Sequence, residues 1–332
     1  MKTDYSTSER YKEGKFQNTY PRKIQTAGSV FQTFKKWTNN RAGRKPQEPL
    51  PIVVPELDDV DVSSDVRFIW LGHSSLYCEI EGKRLLLDPI LQNRVSFTQL
   101  AGPKRFQPSP LAAEDIPDLD AIIISHDHYD HLEKDTIKKL APRTKHIIVP
   151  LGIKPLIARW GIDADKIQEL DWWDIASFDG LEIIAGPAQH FSGRSFRDIN
   201  KRLWCTWIIK GFNKRIFFSG DTGMTDELEK VGAKYGPFNL GFIKIGAYGD
   251  EWPTIHLTPD ESVELCKMLQ CQLLMPIHWA TFTLSYHPWR EPGDRLIELA
   301  GKENVSIVTP KIGESVELSK QRENRIWWKD LK

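Results

Sequence analysis

From about residue 65 onward, short apolar runs alternate along the chain with small-residue and polar turns. Such runs, bounded by turn residues, predict strands that are buried on both faces. Val66 to Leu71, Leu76 to Glu81 and Arg84 to Leu87 read as three successive strands, with Gly82 at the second turn. Ala121 to Ile124 and His146 to Val149 come next. Leu181 to Ala185, Trp204 to Lys210, Ile216 to Ser219, Leu240 to Ile245 and a short Leu273 to Met275 follow. Ser306 to Thr309 and Ser315 to Leu318 read as closing strands. Between them, helical patterns cover Glu133 to Leu140, Ile153 to Trp160, Thr225 to Val231, Pro259 to Leu269 and Glu291 to Ala300. Thr258 suits the N-cap of the fourth of these and Pro259 its first position. Strands in two groups with helices between them predict two sheets covered by helices.

The first 65 residues follow a different pattern. Residues 1 to about 27 are polar and predict a poorly ordered segment or one laid over the domain surface. Val30, Phe31, Phe34 and Trp37 then fall on one helical face, with Lys35 and Lys36 between them. That short helix suits docking on the main domain or a basic element at a membrane surface. Residues 45 to 65 are Pro-rich and acidic and read as a linker. The chain therefore divides into a basic, polar extension with its linker (1–65) and one domain (66–332).

Composition narrows the function classes. Formal net charge is zero, so no global field draws nucleic acid to the chain. The charge is uneven, with eleven Lys/Arg against four Asp/Glu in residues 1–48 and five acids with no base in 49–65. The four cysteines, Cys78, Cys205, Cys266 and Cys271, are scattered and mostly in apolar surroundings, which predicts reduced thiols rather than a disulfide framework. The start of the chain lacks an apolar core of the signal-peptide kind, and no run is long enough to span a bilayer. The expected location is cytoplasmic, with peripheral membrane contact. Twelve Trp can serve a heavy core or a lipid-facing groove.

The candidate chemistry lies at strand ends. The run Ala121–Ile124 empties into His126, His128, Asp130 and His131. His126 and His128, two apart on an extended segment, point the same way. Four N/O donors in so short a stretch suit zinc or a similar divalent ion. Asp130 with Glu133 also fits a helix capping box. His190, Asp221 and His278 each follow an apolar run and precede a small-residue or Pro turn, as a loop ligand on a rigid scaffold would.

With these motifs the chain resembles the metallo-β-lactamase superfamily. His-x-His-x-Asp-His followed by an isolated His, Asp and His is that superfamily's ligand order. Within it the chain resembles the N-acyl-phosphatidylethanolamine-hydrolysing phospholipase D branch. That resemblance is carried by Trp-Leu-Gly-His-Ser-Ser (70–75), Leu-Leu-Leu-Asp-Pro (85–89), Gly-Pro-Lys-Arg-Phe (102–106), Pro-Ala-Gln-His-Phe-Ser-Gly-Arg (187–194), Phe-Ser-Gly-Asp-Thr-Gly (218–223) and Pro-Ile-His-Trp-Ala-Thr-Phe (276–282). It implies an α+β fold, the four-layer αββα sandwich of two mixed sheets flanked by helices. It further implies one metal on His126, His128 and His190, a second on Asp130, His131 and His278, and Asp221 as bridge. Five neutral imidazoles and two carboxylates leave such a centre net positive, which lowers the pKa of a bridging water and supplies hydroxide at neutral pH. The implied cofactor is two zinc ions per chain, with iron or manganese suited to the same ligands.

Other residues join the candidate site. Asp130, Asp221 and His256 are the expected catalytic groups. Asp88 matches a position expected to fix the tautomer of a ligand imidazole, and it also fits a strand-terminating turn. His73 and His256 match histidines that the branch places near the metals or the phosphate. Tyr129 and Arg194 are candidates for contact with an anionic substrate; packing and a solvated surface position explain them equally well. Ile255 stands before His256, where the branch can place a polar contact. The expected activity is hydrolysis of a phosphodiester, as in a phospholipid. A lactonase or other ester hydrolase on the same scaffold is the alternative, and a nuclease ranks below both. The expected partners are a lipid or small-molecule ester substrate and a second copy of the chain in a homodimer, with no nucleic acid.

Overall fold

The computed structural model describes residues 4–21, 43–57, 65–250, 252–320 and 324–332. In chain order these form β1 (Tyr11–Lys12), β2 (Lys15–Phe16), β3 (Val66–Gly72), β4 (Ser75–Ile80), β5 (Lys83–Leu87), β6 (Leu119–Ile123), α1 (Lys134–Leu140), β7 (Thr144–Pro150) and α2 (Lys154–Ala158). Then come β8 (Ile167–Leu170), β9 (Ile175–Phe178), β10 (Leu181–Gly186), β11 (Thr206–Lys210), β12 (Arg215–Phe218), α3 (Glu227–Tyr235), β13 (Leu240–Lys244), α4 (Pro259–Met268), β14 (Leu274–Ile277), α5 (Glu291–Glu303) and β15 (Ser315–Glu317).

Two mixed sheets result. One has seven strands in the order β15-β3-β4-β5-β6-β7-β8, and the other six in the order β14-β13-β12-β11-β10-β9. Alternation within the apolar runs shows why helices and sheets must layer. Phe68 and Trp70 face the core between the sheets, with Trp207, Phe217 and Phe242 of the second sheet. Ile69 and Leu71, one residue out of phase, face a second core with Ile137, Leu140, Ile153 and Ile157 of α1 and α2. A strand buried on both faces needs a layer on each side, so the run of apolar residues itself calls for four layers. The indole Nε1–H of fully buried Trp207 donates to Ile124 O at 3.1 Å and ties one sheet to the other. Truncation of such a residue costs about 3–5 kcal/mol.

The helix start at α4 is built as its sequence suggests. Thr258 Oγ1 accepts from Glu261 N at 3.3 Å, and the Glu261 carboxylate accepts from Thr258 N at 2.8 Å, with Pro259 at the first helical position. Elsewhere the structure departs from the sequence pattern. Ser306–Thr309 forms no strand; only an isolated bridge joins Ile307 to Leu274. A single bridge suffices because β14 already pairs with β13 on its other side. The α2 helix stops at Ala158, short of Trp160. Strands β8 and β9 are new: their sequences, Ile-Gln-Glu-Leu and Ile-Ala-Ser-Phe, are short and interrupted by polar residues. The amphipathic helix expected around Val30–Trp37 lies outside the described residues.

The polar extension has structure of its own. Residues 4–21 carry the β1–β2 hairpin, whose two central residues, Glu13 and Gly14, both have positive φ (52° and 75°). Two-residue turns of that kind match the twist of the strands they join. Residues 45–57, the start of the segment read as a linker, lie against the domain. Leu50 is buried, and Val53 N donates to Ile312 O at 2.8 Å.

Candidate metal centre

Apart from His256, every candidate donor sits within a few residues of the end of a strand, where a buried run fixes the backbone and the chain must then turn. Asp88 follows β5, His126 to His131 follow β6, His190 follows β10, Asp221 follows β12 and His278 follows β14. His73 is in the β3–β4 turn, and His256 in the loop between β13 and α4. The backbone is forced at several of these points. His73, Asp88 and His278 have φ of 55°, 38° and 64°, in the left-handed region that costs a residue with a Cβ about 1–3 kcal/mol. Gly220, just before Asp221, has φ of 49°, and a Cβ there would lie 2.5 Å from Ser125 Cβ. Only glycine permits that approach.

Three imidazole nitrogens meet in one half of the cluster. His128 Nδ1 lies 2.9 Å from His126 Nε2 and 3.3 Å from His190 Nε2. The tautomers follow from the far side of two rings. His190 Nδ1–H donates to Ile255 O at 3.2 Å. Ser125 Oγ accepts from His126 Nδ1–H at 3.0 Å and donates its own O–H to Asp88 Oδ2 at 2.5 Å. Lone pairs of His126 and His190 therefore face inward, beside His128 Nδ1. Lone pairs packed that closely repel unless a cation, or a proton on His128 Nδ1, lies between them. Donors about 2.0–2.1 Å from a tetrahedral zinc are about 3.3 Å apart, so the separations here suit such an ion.

Carboxylates dominate the other half. Asp130 Oδ2 lies 3.1 Å from His73 Nε2, 3.5 Å from His278 Nε2 and 3.7 Å from His131 Nε2. Asp221 reaches into both halves: its Oδ1 is 3.4 Å from His131 Nε2, and its Oδ2 is 3.1 Å from His278 Nε2 and 3.8 Å from His190 Nε2. His131 Nδ1–H donates to Asp88 Oδ2 at 2.6 Å. That leaves His131 Nε2, His278 Nε2 and Asp221 Oδ1 buried with no hydrogen-bond partner in the molecule. Buried orphans of this kind need a partner from outside the chain. The donor set of five imidazoles and two carboxylates thus fits a pair of divalent cations.

The electrostatics agree with that use. Burial holds His73, His126, His128 and His190 below the usual imidazole range, so these rings are neutral, as metal ligands must be. Burial alone would push Asp130 and Asp221 up. The facing imidazoles and, for Asp221, the Lys244 ammonium outweigh it and hold both carboxyls well below the usual range. His131 is driven the other way: burial lowers it, but Asp221, Asp130 and Asp88 raise it well above the ordinary value. In the metal-free chain a proton on His131 stands in for a cation. Burial, then Lys244, pushes His256 down to about 4. Its Nδ1–H donates to Ala247 O at 2.5 Å, so Nε2, 3.3 Å from Asp221 Oδ2, is an acceptor.

The remaining candidates fall into place around the cluster. Asp130 does not cap α1; Glu133 does, accepting from Thr136 N at 3.2 Å. Tyr129 lines a cavity of about 330 Å³ at the cluster, with Val95, Phe191, Trp252 and Leu284. Arg194 is not a solvated surface residue. Its guanidinium lies over the Tyr129 ring and donates to Asp127 O at 2.8 Å and Leu132 O at 2.7 Å, clasping the loop that carries the histidines. Of the aromatic residues that could line a groove, Phe191 and Trp252 do so. Trp279 and Trp289 are in the core. Two residues escaped the sequence reading. Lys244, fully buried at the end of β13, places Nζ 2.9 Å from His278 Nδ1 and 3.4 Å from Asp221 Oδ1. Asn18 bonds the backbone of His190 from the N-terminal segment. Lys244 was hidden inside an apolar run, and nothing in the local pattern around Asn18 signals a contact 172 residues away.

Comparison with known proteins gives the following. A family model described as the beta-lactamase superfamily domain matches residues 83–279. The chain is 39% identical over 287 residues to the N-acyl-phosphatidylethanolamine-hydrolyzing phospholipase D 1 of Caenorhabditis elegans, covering 81% of each chain. It is 37% identical over 328 residues to an uncharacterized protein of Mycobacterium tuberculosis, covering 97% of this chain and 88% of that one. Among solved structures, Igni18, a metallo hydrolase from the archaeon Ignicoccus hospitalis, shares the fold at a TM-score of 0.58 and 20% identity, over 77% of this chain and 99% of that one.

Proposed function

The chain belongs to the beta-lactamase superfamily, and from that premise we propose that it is a metal-dependent hydrolase acting on a phosphodiester, with a phospholipid as the substrate class. The observation that carries the reading is the meeting of seven donor side chains, five of which line an apolar-walled cavity. His126, His128 and His190 would hold one divalent cation and Asp130, His131 and His278 the other, with Asp221 shared. Zinc is the first choice on donor type, two ions per chain, with iron or manganese as alternatives. When bound, such a pair supplies Lewis acidity and a water of lowered pKa.

The chain's own residues do the rest. Asp88 and Ile255 O fix the tautomers of His131 and His190, so that Nε2 of each is always the inward atom. His256, neutral at pH 7, presents Nε2 as an acceptor that can orient a water O–H; it has no proton there to give. Val95, Phe191, Trp252 and Leu284 give the cavity apolar walls that exclude bulk water and suit an acyl chain. An anionic phosphodiester would be drawn to the positive floor.

Contact with a lipid surface is part of the proposal. Phe97 and Leu100 are 81% and 91% exposed on the loop that contributes Val95 to the cavity wall. Phe196, 99% exposed, lies three residues from Gly193, which also lines the cavity. Arg94 and Lys104 flank the first loop. Apolar tips beside basic residues suit the surface of an anionic bilayer. Among the described residues, no helix is long and apolar enough to cross a membrane.

The test is a substrate panel on the metal-loaded protein: N-acyl-phosphatidylethanolamine in mixed micelles, bis(p-nitrophenyl) phosphate, and a set of lactones. Turnover of the phosphodiesters is expected. Turnover of lactones alone would replace the proposal with the carboxylic-ester reading.

A further inference from the structure

We propose that Asn18 is a positioning residue for His190, so that the N-terminal strap is a working part of the metal centre. The proposal rests on the reading of His190 as a metal ligand. Asn18 Nδ2–H donates to His190 O at 2.7 Å, and His190 N–H donates to Asn18 Oδ1 at 3.0 Å. The same Oδ1 accepts from Trp204 Nε1 at 3.0 Å. A single side chain therefore satisfies both backbone groups of a fully buried residue that lies beyond the end of β10 and has no strand partner there. Gln189 is held from the same side, its Nε2–H donating to Tyr20 O at 3.0 Å.

The grip reaches the ligand atom. Asn18 fixes the peptide planes on either side of His190, and Ile255 O fixes the ring at Nδ1. Together they set the direction of Nε2. The opposite side of the same dipeptide is tied to the Asp221 loop. Gln189 N donates to Thr222 Oγ1 at 2.9 Å, and Gly223 N donates to Gln189 O at 3.0 Å. The strap thus closes one side of a network that includes the shared carboxylate. It is itself anchored by Phe16, fully buried among Ala188, Leu203 and Trp204, and by Lys201 Nζ, which donates to Gly14 O at 2.8 Å.

The chemistry requires an amide at position 18. Asp offers no donor for His190 O, and Ala offers neither partner. The strap also lies wholly outside residues 83–279, the span that matches the superfamily domain.

The test is metal affinity rather than turnover. Metal-free wild type, N18A and N18D are titrated with zinc against a chromogenic chelator, and the melting temperature of each metal-free protein is recorded. Y20F, which removes only the strap's hydrogen bond to Asp226, is the control. Wild type should bind two ions. N18A and N18D should weaken one of the two about ten-fold or more and leave the other within about two-fold, with Y20F unchanged. Equal weakening of both ions, or unchanged affinities with only a lower melting temperature, would overturn the role and leave Asn18 a structural residue. Failure of wild type to bind any ion would instead remove the reading of His190 on which the proposal stands.

Discussion

The two halves of the cluster are built from different materials. His126, His128 and His190 are neutral rings, and the first and last turn their outer N–H toward oxygens, Ser125 Oγ and Ile255 O. Opposite them, Asp130 and His131 carry buried charge. His131 is backed by the carboxylate of Asp88, but His278 Nδ1 faces the amine of Lys244. An outer oxygen raises the basicity of a ligand imidazole, whereas an outer cation lowers it. The first half is therefore preformed, and the second is a balance of opposed charges. The second half should respond to charge substitution and to pH, and the first to loss of shape.

The largest break in this contrast comes at the residue common to both halves. Asp221→Asn takes away the carboxylate that, among the described residues, reaches both, and it is expected to abolish turnover and lower the bound-metal count, with little change in far-ultraviolet circular dichroism. His128→Ala should also remove activity but cost a single ion. A count of metal per chain by atomic emission separates the two variants.

Next in size is Asp88→Asn. It removes the charged partner of His131 and one of the two oxygens that hold Ser125, so the affinity of the second ion should fall about 10- to 100-fold and that of the first, reached only through Ser125, by less. Equal loss at both ions would erase the distinction between the halves.

A pH experiment sharpens the same distinction. Burial lowers Lys244 from 10.5 to about 8 in the folded chain. Between about pH 8 and 10.5 the unfolded chain binds more protons at this group, so its contribution to stability rises with pH across that window. In metal-free protein the gain from this one group is on the order of 3 kcal/mol. Lys244→Met should flatten that part of the stability curve relative to wild type, as followed by urea unfolding. Parallel curves would show that Lys244 is not an unfavourably buried cation.

The smallest effect is expected at the rim. Phe97→Ser with Leu100→Ser should reduce sedimentation with anionic vesicles several-fold, yet leave hydrolysis of a soluble phosphodiester unchanged. Loss of the soluble activity would move these residues from the surface into the site.

How far this was legible in the sequence differs between the same regions. Ligand positions stood out because a strand end is a local event: an apolar run, a donor and a turn fall within a few residues, as at Ile124 to His126 and Ile277 to His278. The fold followed from the same runs, and the superfamily match and the four layers agree with it. What supports the donors was hidden. Lys244 looks like an ordinary residue in a strand, and its burial beside Asp221 depends on β12 and β14 lying either side of β13. Asn18 acts across the whole domain, in a segment whose polarity suggested disorder. Strands β8 and β9 were missed because four residues, two of them polar in β8 and one in β9, are too few to carry a periodic signal.

Everything turns on two cations at the floor of one cavity. Anomalous diffraction from crystals of the protein purified without chelator, recorded at the zinc, iron and manganese edges, tests that directly. Two peaks about 3.5–4 Å apart, one among His126, His128 and His190 and the other among Asp130, His131 and His278, are the predicted result. A map with no anomalous peak at these side chains after metal soaking, or one in which the side chains pair with each other instead, would contradict it.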